Sequence, residues 1–173
     1  VTLNLIFSIQ VLLIFLLFVE DRVHLPAWLQ VAGRMHPLVL HLPIGVGVFL
    51  LVFVLLQRQL EKAIMQQIVH IALLFISLTA SVTALFGFFL SLQSDYGTEA
   101  LTRHKVSGVI LSLLCYVILM WHNSNKSKPV FIGLGILSCL TLIFAGHTGA
   151  VLTHGENFVF APVSQSDVVL TAE

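Results

Sequence analysis

Charged side chains are scarce in this sequence. Lysine, arginine, aspartate and glutamate make up 9 % of its residues, whereas a soluble domain carries about a quarter. Hydrophobic residues make up 58 %, and the mean hydropathy is +1.02. A chain with so little charge cannot cover its apolar surface in water, so the lipid bilayer is its expected partner. The formal net charge is zero, so no nucleic-acid partner is expected.

Cysteine is also rare, and the motifs of several common chemistries are missing. Cys115 and Cys139 each lie within an apolar run, and no CxxC or CxxCH sequence is present. Neither a disulfide nor a covalently attached c-type haem is therefore expected. The sequence has no GxSxG, HExxH, Walker-type or SxxK motif, and these would indicate hydrolases or nucleotide-binding enzymes. A stand-alone enzyme of these classes is therefore not expected.

Five apolar runs are each near the ~20 residues that cross a bilayer core of ~30 Å. A cleaved signal peptide is the alternative for the first run, but Glu20-Asp-Arg22 follows it in place of a small-residue cleavage site. We therefore predict an all-α membrane protein with five spans. Residues 1–31 form an N-terminal span and outer loop, 32–157 a four-helix bundle, and 158–173 an extended tail or linker. The runs are Leu3–Val19, His36–Leu56, Ile68–Leu92, His104–Trp121 and Val130–Leu152.

The charges between the runs bear on orientation. Four cations lie in two short links with only one acid, Glu61. The longer links on the other side also hold four cations, so the two counts are equal. The higher density of cations in the short links then decides the orientation. This places the short links in the cytoplasm of a bacterial inner membrane, with the amino terminus cytoplasmic and the carboxyl terminus periplasmic. The four cations of the short links are Arg58, Lys62, Lys126 and Lys128.

The segment before the second run has an ambiguous pattern. Pro26 to Val31 could form a short helix at the membrane interface, with Trp28 at headgroup level. An irregular loop explains the same residues equally well.

Five of the eight histidines come to one membrane face in this topology. Neutral imidazole is costly inside a bilayer without a partner, and it is a good ligand for haem iron and transition metals. A convergence of five histidines from three spans therefore indicates a bound cofactor or metal. His70 and His122 fall at the opposite face, and His24 lies in a loop. The five are His36, His41, His104, His147 and His154.

The preferred cofactor is a haem b held by two histidines, one from the second span and one from the fourth or fifth. His36 and His41 differ by about 140° around a helix, so they cannot both face one iron. His41 and His147 are the deepest of the five, and His104, at the start of its span, is shallower. His41, His104 and His147 are the first-rank candidates as metal ligands. The rim histidines, His36 and His154, could instead bind haem propionates, a quinone headgroup or a second metal. Zinc or copper, and a purely structural polar network, remain alternatives.

Glycines accompany these histidines along the chain. Small residues let a porphyrin approach a helix backbone, so these glycines are expected at the cofactor site. Close helix packing explains them equally well. They are Gly45, Gly87, Gly108, Gly146 and Gly149.

Three motifs occur in a recognisable order. They are Gly33-Arg-Met-His36-Pro-Leu-Val-Leu-His41-Leu-Pro-Ile-Gly45, Asp95-Tyr96 followed by Thr102-Arg-His104-Lys, and Gly146-His147-Thr-Gly149-Ala-Val-Leu-Thr153-His154-Gly155. Together, over about residues 32–163, they resemble a membrane domain of unknown function found at the amino terminus of planctomycete- and bacteroidete-type cytochrome c domain proteins. Ala150 replaces the second glycine of the GHxGGxLTHG motif, and Lys105-Val-Ser stands where an aromatic pair is usual.

The resemblance implies a membrane anchor beside a periplasmic cytochrome c domain or subunit. Combined with the histidine cluster, it leads us to expect a membrane electron-transfer subunit that binds b-type haem near the periplasmic face and serves that cytochrome. The alternative is a cofactor-free anchor or assembly subunit of a larger respiratory or envelope complex. Its histidines would then bond to lipids or to other membrane subunits.

Overall fold

The computed structural model describes residues 1–57, 59–93, 98–124, 127–156, 158 and 161–162. Within them it forms seven helices and one 3₁₀ turn, Glu20–Arg22. The elements join into five stretches long and apolar enough to cross a bilayer, which confirms the predicted all-α fold with five spans. The helices are α1 (Thr2–Val19), α2 (Ala27–Arg34), α3 (His36–Val39), α4 (His41–Leu56), α5 (Lys62–Ser91), α6 (Thr98–Asn123) and α7 (Lys128–His154).

The second span is composite. It runs from Ala27 to Leu56, but Met35 and Leu40 interrupt it and divide it into α2, α3 and α4. Of the two interpretations of residues 26–31, the helix is confirmed: α2 begins after Pro26, and Trp28 is exposed. Gly33 fixes α2 against α5, since a Cβ there would lie 2.8 Å from the Leu90 backbone nitrogen.

Helix α5 is the centre of the fold. It packs against α1, α2, α3, α4 and α6, while α7 packs on α6. Among the described residues, no Cα atom of α3 or α4 comes within 8 Å of one in α6 or α7. The last four spans therefore lie in the spatial order α4, α5, α6, α7 without α4 closing onto α7, and α1 packs across α5 and α6.

Consecutive spans alternate in direction, which defines two faces of the molecule. We call the one that contains Val19, His36 and His154 the His36 face. The other, which contains Leu56 and Lys128, is the His70 face. A core cluster lies toward each face, and α1 belongs to both. The cluster nearer the His36 face is Leu13, Leu16, Phe88, Phe89 and Val109; the other is Ile6, Leu73, Ile118 and Leu119.

A polar bridge joins three helices between the two clusters. Gln10 of α1 is 3 % exposed, and its amide nitrogen donates to Ser81 Oγ at 2.8 Å and to the Ser112 carbonyl at 3.1 Å. The Ser112 hydroxyl donates back to Gln10 Oε1 at 3.1 Å. Buried polar groups need such partners in a membrane. The first span is therefore bound into the core by polar as well as apolar contacts.

An ion pair holds the far end of α1. Lys105 of α6 donates to Glu20, in the 3₁₀ turn after α1. The Lys105 side chain is only 10 % exposed and Glu20 is 32 % exposed. The other ion pair of the described residues, Arg103 with Glu99, is exposed on α6. Burial makes the first pair the more important for stability.

Candidate functional site

Two histidines from different spans meet near one end of the bundle. The imidazole rings of His36, on α3, and His104, on α6, have centroids 6.2 Å apart and planes at 82°. Both side chains are half-buried. Helix α6 begins at Thr98, so His104 lies about 9 Å inside the helix start and deeper than the sequence interpretation placed it. The pair thus lies near the His36 face, with His104 inside its span rather than at its start.

The third span fixes the His36 ring in place. Its Nδ1 lies 2.9 Å from the carbonyl oxygen of Thr83. A carbonyl can only accept, so Nδ1 is the donor and carries the proton. The ring lies flat over Gly87, where a Cβ would come within 2.9 Å of both Cε1 and Nδ1. Glycine is therefore required at this position of α5 for the ring to pack there.

The fifth span holds the His104 ring in the same manner. Its Nδ1 lies 3.0 Å from the Ala145 carbonyl oxygen, and Thr148 Oγ1 is 3.4 Å from the same nitrogen. The ring lies over Gly149, where a Cβ would be 3.0 Å from Cε1 and 3.2 Å from Nδ1. Each histidine therefore has one backbone acceptor and one glycine on a neighbouring helix.

These contacts determine which ring nitrogen is available for chemistry. With the proton on Nδ1, the Nε2 atom of each neutral imidazole keeps its lone pair. A histidine that ligates a metal usually donates its other N–H to a carbonyl or carboxylate, which fixes the ring and raises its basicity. His36 and His104 both have this arrangement. Nothing of this kind could be read from the sequence, because the acceptors are backbone carbonyls of apolar helices.

The other three histidines of this face lie apart from the pair. His41, His147 and His154 are exposed, and the His154 ring stacks on Phe158 with centroids 4.2 Å apart. His36, rather than the deeper His41, contacts α5, through the Thr83 carbonyl, whereas His41 at the start of α4 is exposed. Ligation by His41 or His147 stays a prediction without supporting contacts.

The predicted glycines separate into two groups. Gly87 and Gly149 lie under imidazole rings, as described above. At Gly45, Gly108 and Gly146 an added Cβ would meet nothing within 4 Å, so no contact inside the chain requires glycine there. The loop residues of the second motif, Asp95 and Tyr96, lie outside the described residues, as does most of the predicted tail 158–173.

The donor set limits which metal group could bind. In the described part of the chain, no three His, Cys, Asp or Glu side chains are grouped as metal ligands. A structural zinc ion takes four protein ligands and a catalytic one takes three. A haem supplies four nitrogens itself and takes axial ligands from the protein. A pair of imidazoles therefore fits haem better than it fits zinc.

Fold and site together define a helical membrane protein with five spans and a paired-histidine centre near one face. The chain belongs to the DUF2231 family, described as a predicted membrane protein, whose model matches residues 34–159. The match includes both histidines and both ring-bearing glycines, and leaves α1 outside. No curated protein and no solved structure shows a significant match. The match carries no statement about a cytochrome c domain, so that association stays a prediction.

Proposed function

We propose that this chain is an electron-transfer subunit that holds a b-type haem between His36 and His104. The observation that carries the proposal is the geometry of the two rings, each with Nδ1 bound to a backbone carbonyl. The ligands then come from the second and fourth spans. This is one of the two span combinations expected from the sequence.

The separation of the rings suits a shared iron. Two imidazoles whose nitrogens lie ~2.0–2.1 Å from a shared metal ion would have centroids no more than roughly 6.5 Å apart; the rings here are 6.2 Å apart. A porphyrin also needs space between the helices that supply the ligands. Among the described residues, no Cα atom of α3 lies within 8 Å of one in α6, and none of α4 lies within 8 Å of one in α7. This separation is consistent with a slot for the porphyrin.

The residues of the chain would bind, orient and insulate the haem, which when bound supplies one-electron redox chemistry. The carbonyls of Thr83 and Ala145 hold the two rings and tune their basicity. The apolar side chains of the spans limit access of water, which affects the reduction potential. Electrons would pass between a quinone pool or membrane partner and a c-type cytochrome domain or subunit. In the proposed orientation the pair lies near the periplasmic face of the inner membrane.

Absorption spectra of the purified protein, oxidised and dithionite-reduced, test the proposal. We expect a low-spin b-type spectrum and about one haem per chain by pyridine haemochrome. His36→Ala and His104→Ala should each lose that spectrum, whereas His154→Ala, at an exposed histidine, should retain it. Circular dichroism and gel filtration verify that each variant is folded. Fully folded wild-type protein without a Soret band after expression with ample haem would refute haem binding.

One observation favours the alternative, a cofactor-free anchor or assembly subunit. Each imidazole already links two spans through its Nδ1, so the pair could serve only to fasten α3 to α5 and α6 to α7. This alternative predicts no haem spectrum, lower thermal stability of both alanine variants and poorer recovery of a larger complex. Full assembly in both variants would count against it.

A further inference from the structure

A second pair of histidines meets at the opposite face of the molecule. The rings of His70, on α5, and His122, on α6, have centroids 6.2 Å apart and nearly parallel planes at 21°. Phe131 of α7 lies beside them, with its centroid 5.9 Å from that of His122. Three spans therefore contribute to this cluster, which shares no residue with the His36–His104 pair.

The two histidines line an open pocket that is rich in hydrogen-bond donors. Neither imidazole makes a hydrogen bond to any residue that the structure describes, although both are half-buried. Side-chain amides and one ammonium group complete the polar lining, and no carboxylate takes part. Two aromatic rings form the apolar wall. The principal lining residues are Gln67, His70, Trp121, His122, Lys128 and Phe131.

The charge around the pocket is positive. Lys128 stands in the first turn of α7, where the helix dipole favours an anion and no acidic residue is present. The two links at this face carry four cations against the single acid Glu61. A metal cation would meet an ammonium group and only two imidazoles. An anion would find complementary charge and several donors.

We propose that this pocket binds a phosphate group, presented by the headgroup of an anionic phospholipid. The pocket lies where the spans end, which is the level of lipid phosphates, and Trp121 and Phe131 would pack against the glycerol and upper acyl region. Lys128 and the two imidazoles would donate to the phosphate oxygens. Soluble inorganic phosphate shares this chemistry and is the other possible source. The proposal does not depend on haem binding at the His36 face.

Trp121 gives a direct readout once the other tryptophan is removed. Trp28→Phe protein is reconstituted in nanodiscs containing either brominated phosphatidylglycerol or brominated phosphatidylcholine, and quenching of Trp121 fluorescence is measured. Losing one interfacial cation weakens anionic lipid binding by about fivefold. We expect preferential quenching by phosphatidylglycerol, reduced by about that factor in Lys128→Gln and also weakened in His122→Gln. Lys62→Gln is the matched control, since Lys62 is exposed at the same face but does not line the pocket.

The possible outcomes distinguish a lipid phosphate, a soluble phosphate ion and the absence of a phosphate site. If millimolar inorganic phosphate changes Trp121 fluorescence in neutral nanodiscs, and Lys128→Gln abolishes the change, a phosphate site is supported with the soluble ion as its source. Equal quenching by both lipids, together with no response to inorganic phosphate, would overturn the proposal. An equal loss of lipid preference in Lys62→Gln and Lys128→Gln would also overturn it, because general surface charge would then explain the effect. None of these outcomes alters the haem spectrum test.

Discussion

The imidazole rings of His36 and His104 lie 6.2 Å apart at 82° to each other, although 68 positions separate them in the chain. Neither ring is positioned by its own helix alone. His36 is held by α5, and His104 is held by α7. The pair can therefore be disturbed from those two neighbouring helices without changing either histidine, which gives variants that keep both ligands.

Gly87→Ala should displace the His36 ring. The new Cβ would lie 2.9 Å from two ring atoms, closer than van der Waals contact allows, so the ring must shift and its hydrogen bond to the Thr83 carbonyl weakens. Overpacking of this kind costs about 1–3 kcal/mol. We expect a lower midpoint of thermal unfolding in detergent and, if haem binds there, several-fold lower haem content at equal protein. Gly149→Ala should act in the same way through His104.

Gly45→Ala is the control for these variants. Its Cβ would meet nothing within 4 Å, and alanine is the better helix former by about 1 kcal/mol. Unchanged or slightly raised stability and normal haem content are therefore expected. If Gly87→Ala and Gly45→Ala behave alike, the glycine does not position the ring.

Much of this fold is predictable from composition and run length. Each span is a long apolar run, and a bilayer permits few other structures for such a run. The convergence of histidines at one face follows from counting spans. The partner of each histidine does not follow, since it depends on helix rotation. In the structure the second span turns His36, rather than His41, toward His104.

The contacts of individual glycines and of α1 could not be predicted from the sequence either. Gly87 and Gly108 look alike in sequence, and only the neighbouring helix distinguishes a ring-bearing glycine from a free one. The first run contains Gln10 among apolar residues, which could have indicated a buried hydrogen-bonded contact. Its partners, Ser81 and Ser112, could not be identified without knowing how α1 crosses α5 and α6.

Gln10→Ala should loosen the attachment of α1. The change removes three hydrogen bonds and leaves Ser112 and Ser81 without that partner. Interhelical hydrogen bonds in membranes contribute about 0.6 kcal/mol on average, and the cavity adds to the cost, so we expect a loss of about 2–3 kcal/mol. Unfolding in mixed SDS micelles measures it. Gln10→Leu retains most of the volume and isolates the hydrogen-bond contribution, while exposed Ser8→Ala should change nothing.

Glu20→Gln should destabilise the protein more than Glu99→Gln does. The first change removes the counter-ion of Lys105, whose side chain is 10 % exposed. The second affects a pair whose side chains are 61 % and 79 % exposed. We expect about 2 kcal/mol for Glu20→Gln and less than about 0.5 kcal/mol for Glu99→Gln, from the same SDS unfolding assay. Equal effects would mean that the burial of Lys105 has no energetic consequence.

The orientation of the chain decides which soluble partner the His36–His104 pair can reach. The density of cations in the short links predicts that the His70 face lies in the cytoplasm. Cys115 and Cys139 lie within spans α6 and α7; they are replaced by alanine, and single cysteines are introduced as Ser127→Cys or Glu156→Cys. An impermeant maleimide should label the second variant in intact spheroplasts and the first only in inverted vesicles. The reverse pattern would put the pair at the cytoplasmic side, out of reach of a periplasmic cytochrome c.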